Sequence, residues 1–221
     1  MIAPLHQAWL DRRGPHAQPT LWATKHLALS LGAVGRPQEA ITLERDLLTH
    51  FRATHGEDHP DTLSSAHNLA IELAELGDLK QARALTEDTL SRYRRVLGDD
   101  HPDTLSAASN LALLLAELGD HEQARSLAED TLSRCRRVLG DDHPDTLGSA
   151  YNLANRLAEL GDHEQARALA EDTLSRRRRV LGDDHPDTLD SANNLANRLA
   201  ELGDHEQARK VEDWIKRHRR A

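Results

Sequence analysis

Residues Asp99–Gly140, DDHPDTLSAASNLALLLAELGDHEQARSLAEDTLSRCRRVLG, are followed at once by Asp141–Gly182, DDHPDTLGSAYNLANRLAELGDHEQARALAEDTLSRRRRVLG, and the two forty-two-residue stretches differ at only seven positions. A long fixed period means one supersecondary structure stacked on itself, each copy burying a face that it cannot bury alone. Outward from this pair, a closing glycine recurs forty-two residues apart at Gly14, Gly56, Gly98, Gly140 and Gly182, even where its neighbours have diverged. That glycine sets the phase. Residues 1–14 are a trailing half copy or an N-terminal cap, 17–58 a degenerate copy, 59–100, 101–142 and 143–184 near-identical copies, and 185–221 a last copy with a divergent C-terminal cap helix. Residues 1–221 are expected to form a single α-solenoid. Because the chain starts part-way through a copy, it reads either as a segment of a longer protein or as an array capped by that half copy.

Within a copy the helix signals are explicit. His101-Pro102-Asp103 places proline at the first helical position and acids at the positive end of the dipole. Helix A then runs to about Leu118, with Leu105, Ala108, Leu111, Ala112, Leu115 and Leu118 on one apolar face. Gly119-Asp120 makes the turn. Helix B begins near His121 and is expected to bury Ala124, Leu127, Ala128, Thr131, Leu132, Cys135 and Val138. Arg134, Arg136 and Arg137 complement its unpaired carbonyls, and Gly140 is expected to supply a left-handed stop. The degenerate copy reads as one under relaxed constraint. Trp214 and Ile215 are placed to cover the face that the last copy leaves open.

Composition agrees with an all-α class: aromatics are 3% of residues, and the apolar residues are mainly Leu and Ala. The net charge of −9 and pI near 5.8 disfavour nucleic acid and anionic membranes as partners. The basic run Arg176–Arg179 is the ordinary helix-B tail with one added charge and no stacking aromatics. The lone Cys135 excludes an intramolecular disulfide framework and fits a reducing compartment. No stretch approaches a membrane span and the N-terminus lacks the apolar core of a secretion signal, so a cytoplasmic protein is expected. The preference for Arg over Lys, with abundant Ala, Leu and Asp, resembles a bacterial coding bias.

The string NLAxxLAELGDxxxAxxLxEDTL, spanning Asn110 to Leu132, resembles the tetratricopeptide repeat (TPR), with Leu111, Ala112, Leu115, Gly119, Ala124 and Leu132 at its signature positions. The copy is eight residues longer than the usual thirty-four, the excess lying in the SRCRRVLG tail and the DDHPDTL lead-in. That extended form is similar to the repeats of kinesin light chain and of bacterial arrays attached to signalling ATPases. The resemblance implies a right-handed superhelix of antiparallel helix pairs whose A helices line a concave groove for peptides or proteins, and it does not imply an enzyme. Two features depart from the family: its large packing aromatics are mostly replaced by Leu and Ala, and no kinase or nucleotide-binding segment is present.

Near-identical copies permit an internal comparison. Five of the seven differences fall in helix A: Ser106/Gly148, Ala107/Ser149, Ser109/Tyr151, Leu113/Asn155 and Leu114/Arg156. Positions 106, 109 and 113 share a face, which by the resemblance lines the groove. Their columns read Trp22, Ser64, Ser106, Gly148, Asp190; then Lys25, His67, Ser109, Tyr151, Asn193; then Leu29, Ile71, Leu113, Asn155, Asn197. The face is thus apolar in the N-terminal half and amide-rich later, where Arg156 and Arg198 also appear. Either it holds a peptide between aliphatic anchors and polar contacts, or it has drifted as a solvated surface. A constant column, Asn68, Asn110, Asn152 and Asn194, either grips a peptide backbone or bonds neighbouring helices. Glu75, Glu117, Glu159 and Glu201, by the family pattern at the groove edge, either repel acidic ligands and favour basic ones or pair with helix-B arginines, the pairing being the expected reading.

No cofactor, metal or catalytic set is expected. His101 with Asp99, Asp100 and Asp103 recurs in every close copy as helix-start chemistry, and Cys135 is matched by Tyr93 and Arg177 on an apolar face. The leading reading is a non-catalytic scaffold for a protein or peptide partner. The alternatives are end-to-end self-assembly through the half copy around Leu5 and Trp9, and a regulatory arm of a larger signalling ATPase. The repeat phase is itself testable: Leu111→Ala should destabilise the fold by about 2–5 kcal/mol in urea denaturation through the cavity it leaves.

Overall fold

The computed structural model describes residues 2–219. Among them are eleven helices and no strand: α1 (Ile2–Arg13), α2 (Gln18–Ala33), α3 (Pro37–His55), α4 (Pro60–Glu75), α5 (Leu79–Leu97), α6 (Pro102–Glu117), α7 (His121–Leu139), α8 (Pro144–Glu159), α9 (His163–Leu181), α10 (Pro186–Glu201) and α11 (His205–His218). Each copy is an A helix followed by a B helix, starting with the pair α2 and α3. No helix among the described residues is long and apolar enough to cross a membrane.

Local chemistry starts and stops each helix. His59, His143 and His185 cap α4, α8 and α10, each Nδ1 accepting the N–H of the aspartate two residues on, and His101 does the same to Asp103 at 3.2 Å. The threonine of the HPDT start has a second use. Thr62 and Thr104 donate from Oγ1 to the carbonyls of Gly56 and Gly98, both at 2.8 Å, tying the start of one copy to the end of the previous helix. Between A and B, Gly77 has φ 82°. The Gly77 N–H bonds the Ala74 carbonyl and the Asp78 N–H bonds that of Leu73, both at 2.9 Å, a Schellman closure. The closing glycines differ from the left-handed stop expected: Gly140 has φ 88° and ψ 162°. That extended region of positive φ is open essentially to glycine alone, so the position admits no substitute without strain.

The chain falls into two compact units, Met1–Leu114 and Leu115–Ala221. In the first, α2 packs against α1 and α3, and α4 against α3 and α5. Its core gathers Ile41, Leu48, Ala66, Leu69, Leu73, Ala82 and Leu114, with Leu21, Leu47 and Phe51 as a second cluster. In the second, α8 packs against α7 and α9, and α10 against α8, α9 and α11. Leu174, Leu189, Leu195, Leu199 and Ile215 are central there, and Trp214 packs against them. The side chain of Leu5, placed by the sequence at an exposed half copy, lies outside the described residues.

Two expectations on faces are corrected. Helix A buries more than one stripe, since a helix flanked by two B helices is covered on both sides: in α4, Thr62, Leu63, Ser65, Ala66, Leu69, Ala70, Glu72 and Leu73 are all buried. Val138 is exposed, because after Cys135 the inward position falls four residues on, at half-buried Leu139. Thr104→Val, which strips the Gly98 carbonyl of its donor, should therefore cost about 1–2 kcal/mol in urea denaturation, whereas Val138→Ala should stay within about 0.5 kcal/mol.

Candidate functional site

In the first unit, α2 presents Trp22 and Leu29 outward, 52% and 44% exposed, an unusual placement for the largest apolar side chains of the helix. Trp22 packs against His26 with the rings tilted and 4.2 Å between centroids, and meets Trp9 edge-on at 6.1 Å. Lys25, half-buried between them, donates to Ser64 Oγ at 3.0 Å. His67, Asn68, Ile71, Ser109, Asn110 and Leu113 are half-buried along α4 and α6. In the second unit, Tyr151, Asn152, Asn155 and Arg156 are half-buried on α8; on α10, Asn193 is half-buried, Asn194 buried and Asn197 exposed.

The asparagine column is engaged within the protein at three of its four positions. Asn68 Nδ2 donates to Glu44 Oε1 at 3.2 Å, Asn110 Nδ2 lies 3.4 Å from His67 Nε2, and Asn194 Nδ2 donates to Asn155 Oδ1. Each bond reaches into the preceding copy, so the column has a structural use between copies.

Much of the variation in helix A is matched by variation in helix B. The B-helix column Phe51, Tyr93, Cys135, Arg177 is buried throughout. The Tyr93 ring meets His67 edge-on at 6.4 Å, and the Arg177 guanidinium lies 5.5 Å from the centre of the Tyr151 ring. Arg177 Nη1 also donates to the Asp187 carbonyl at 2.8 Å and to Ser191 Oγ at 3.0 Å, while Cys135 Sγ lies 3.6 Å from Ser149 Oγ. Large residues thus face large ones in the second and fourth copies, where the third has Cys135 and Ser109. Burial pushes the Tyr93 hydroxyl up to about 12 and raises the Cys135 thiol above its ordinary value, which removes thiolate chemistry at neutral pH.

Charges outside this face are largely paired. Arg92 bridges Asp88 at 2.8 Å and Asp58 at 3.0 Å, and Arg176 bridges Asp172 at 2.9 Å and Asp142 at 3.0 Å. Arg178 meets Asp183 at 2.7 Å and Arg179 meets Asp142, so the basic run is neutralised and offers no phosphate grip. The glutamate column does not pair with helix-B arginines. Glu159 meets Arg156 of its own helix at 3.0 Å and His121 at 3.4 Å; Glu201 meets Arg198 at 3.2 Å and His163 at 3.2 Å. The end of each A helix lies beside the start of the preceding B helix, out of reach of the arginines at the far end of that helix.

The first copies hold a polar cluster that sequence reasoning missed. Glu44 and Glu72 are buried, 1% and 7% exposed, each with an Oε2 that has no hydrogen-bond partner. Elsewhere the first column carries Thr86, Ala128, Ala170 and the exposed Glu212, and the second Ser30, Leu114, Arg156 and Arg198. Gly32, alanine in the other copies, makes room: a Cβ at position 32 would overlap Glu72 Oε1. Burial pushes the Glu44 carboxyl up to about 7, against the opposing pulls of Asn68, Lys25 and Ser65, and burial with the nearby Glu75 raises Glu72. The signal was in the columns, where an acid and a glycine depart together. A second matched departure replaces the ion pair Asp58–Arg92 by His16 and His50, whose rings stack at 4.4 Å and 8°.

Two shallow pockets, about 500 and 400 Å³, lie away from this face, one lined by Leu90, Ser91, Arg94, Arg95 and Leu111, the other by Leu174, Ser175, Arg178, Arg179 and Leu195. Their linings coincide after two periods, which marks them as products of copy packing.

The tetratricopeptide repeat family matches residues 19–95, 73–136, 104–178 and 146–214. No curated protein matches the chain. Among solved structures, a candidate kinesin light chain of Podosopora anserina with nearly identical TPR-like repeats is 25% identical, with TM-score 0.77 over 90% of this chain and 93% of that one. BtubC (BKLC) from P. vanneervenii is 20% identical, with TM-score 0.82 over 99% and 89%. A Rap protein complexed with Competence and Sporulation Factor is 10% identical, with TM-score 0.80 over 98% of this chain and 58% of that one.

The raised Glu44 value sets a pH dependence. The folded state holds its proton up to about pH 7, whereas the unfolded chain releases it near 4.5, so this contribution to stability is full below pH 4.5 and is lost as pH rises to about 7. The difference amounts to about 3 kcal/mol at most. Glu44→Gln should flatten it, leaving the variant more stable than the parent at pH 8 relative to their order at pH 4.5, as read by denaturant titration at both values.

Proposed function

The chain belongs to the tetratricopeptide repeat family, in its extended kinesin-light-chain-like form, and we propose that it is a non-catalytic scaffold that binds a protein or peptide partner on the open face of its A helices. The observation that carries this reading is the exposure of Trp22 and Leu29, seven residues apart on one face of α2, in a chain whose core is built from leucine and alanine. A tryptophan and a leucine held outward on a rigid helix, with Lys25 between them, are the kind of anchor around which peptide affinity concentrates. In the second unit the corresponding face is polar, with Tyr151, Asn152, Asn155, Arg156, Asn193 and Asn197 supplying amide, phenol and guanidinium groups. A partner seated on the first unit is therefore expected to bring an apolar side chain to α2, and one seated on the second to bring hydrogen-bonding groups to α8 and α10.

Selection from a random peptide library tests this directly. Enriched peptides should carry an aromatic or aliphatic residue, and Trp22→Ser with Leu29→Ser should weaken their binding roughly tenfold or more with little change in melting temperature, since neither side chain is in the core. Tyr151→Ala with Asn152→Ala should weaken peptides that reach α8. A light-scattering mass that climbs with concentration, with no enriched motif, would instead establish assembly of the chain with itself.

A further inference from the structure

His55, His59 and Asp61 meet at a junction whose composition occurs once in the chain. His55 is the last residue of α3, Gly56 turns the chain, His59 caps α4, and Asp61 stands in its first turn. One ligand atom from each lies within 4.8 Å of the others. The two imidazole centroids are 4.2 Å apart, and His59 Nδ1 lies 3.7 Å from Asp61 Oδ2. Half of this arrangement is ordinary here: His101 with Asp103, His143 with Asp145 and His185 with Asp187 repeat it at 3.8, 3.7 and 4.0 Å. The other half is new. The column of His55 holds Leu97, Leu139 and Leu181 in the later copies, so a standard helix start has gained one further imidazole. Sequence reasoning, directed at His101 and its acids, passed over this pair four residues apart.

The remaining acids of the loop are already committed. Glu57 pairs with Arg52 at 3.1 Å, and Asp58 with Arg92 at 3.0 Å and with Arg95. Asp61 has the His59 imidazole as its neighbour, with Nδ1 3.7 Å from Oδ2. We propose that His55, His59 and Asp61 bind one divalent transition-metal ion of the zinc type, clasping the end of the first B helix to the start of the next A helix. Two imidazole nitrogens and a carboxylate oxygen suit borderline cations such as Zn²⁺, Co²⁺ and Ni²⁺, whereas Mg²⁺ and Ca²⁺ favour all-oxygen sets. Zn–N bonds of about 2.0–2.1 Å in a tetrahedron place ligand atoms about 3.3 Å apart. Rotation of the exposed His55 side chain closes that gap without disturbing the core, His59 exchanges its cap bond from the Asp61 N–H for the ion, and water completes the coordination. Because the ligands come from two successive helices, ions bound to the folded state raise its stability by mass action.

The test uses the full chain, with Zn²⁺ in competition with a chromophoric chelator and Co²⁺ as a spectroscopic probe. One equivalent per chain is expected, with a Zn²⁺-dependent rise in melting temperature. His55→Leu installs the residue that three later copies already use, so the fold is retained; affinity should fall at least roughly tenfold and the thermal shift should vanish. Conversely, Leu97→His rebuilds the trio with His101 and Asp103 and should add a second equivalent. A wild-type chain that takes up no Zn²⁺, a His55→Leu chain that binds as the parent does, or a folded Leu97→His chain that gains no equivalent would each overturn the assignment.

Discussion

A single methyl group at the start of each B helix sets the distance on which the rest of the packing depends. Ala40, Ala82, Ala124 and Ala166 have no exposed surface at all, and Ala208 has 4%. These methyls are enclosed on every side, and interiors packed to crystal density transmit any added volume to their neighbours. With that contact fixed, the leucines of helix A reach the B helices on both sides, and the apolar pattern of a copy becomes a core. The polar groups then follow the geometry. Imidazole caps at the starts of α4, α6, α8 and α10, and the threonine bonds from Thr62 and Thr104 to Gly56 and Gly98, satisfy backbone groups there, and arginines at the end of helix B reach the aspartates of the lead-in.

The period, the helix bounds and the turns were legible in the sequence because they are local or repeat. Proline and glycine act through their own dihedral angles, and a forty-two-residue repeat needs no knowledge of contacts. Reading columns shows which positions vary, but not what each one touches. Asn68 reaches Glu44 and Asn110 reaches His67 across twenty-four and forty-three residues of chain, so a column that looks constant for a ligand is also constant for its neighbours. Val138 was misplaced for a smaller reason: a helical face drifts, and the inward position passed to Leu139.

The degenerate first copy gains a different meaning from these contacts. Its departures come in matched sets: Gly32 with Glu72 of the following copy, and His16 with His50 in place of an aspartate and an arginine. Relaxed constraint scatters substitutions singly, whereas these preserve packing or pairing at each place where they occur. The buried carboxylates of Glu44 and Glu72 are costly unless protonated or partnered, and Asn68 and Lys25 reduce that cost at Glu44. The divergence is therefore a second solution to the same packing problem, with a polar interior where the later copies use threonine, alanine and leucine.

The same reasoning narrows the candidate binding face. A helix-A position whose side chain is answered by helix B or by the next copy varies to keep that contact, which accounts for His67 against Tyr93, Tyr151 against Arg177 and Asn155 against Asn194. Variation of this kind carries no information about a ligand. Trp22, Leu29, Ser106, Asp190 and Asn197 differ in being exposed on that face, and the two apolar ones, Trp22 and Leu29, both lie on α2. The apolar exposure of α2 is what the proposed partner contact rests on.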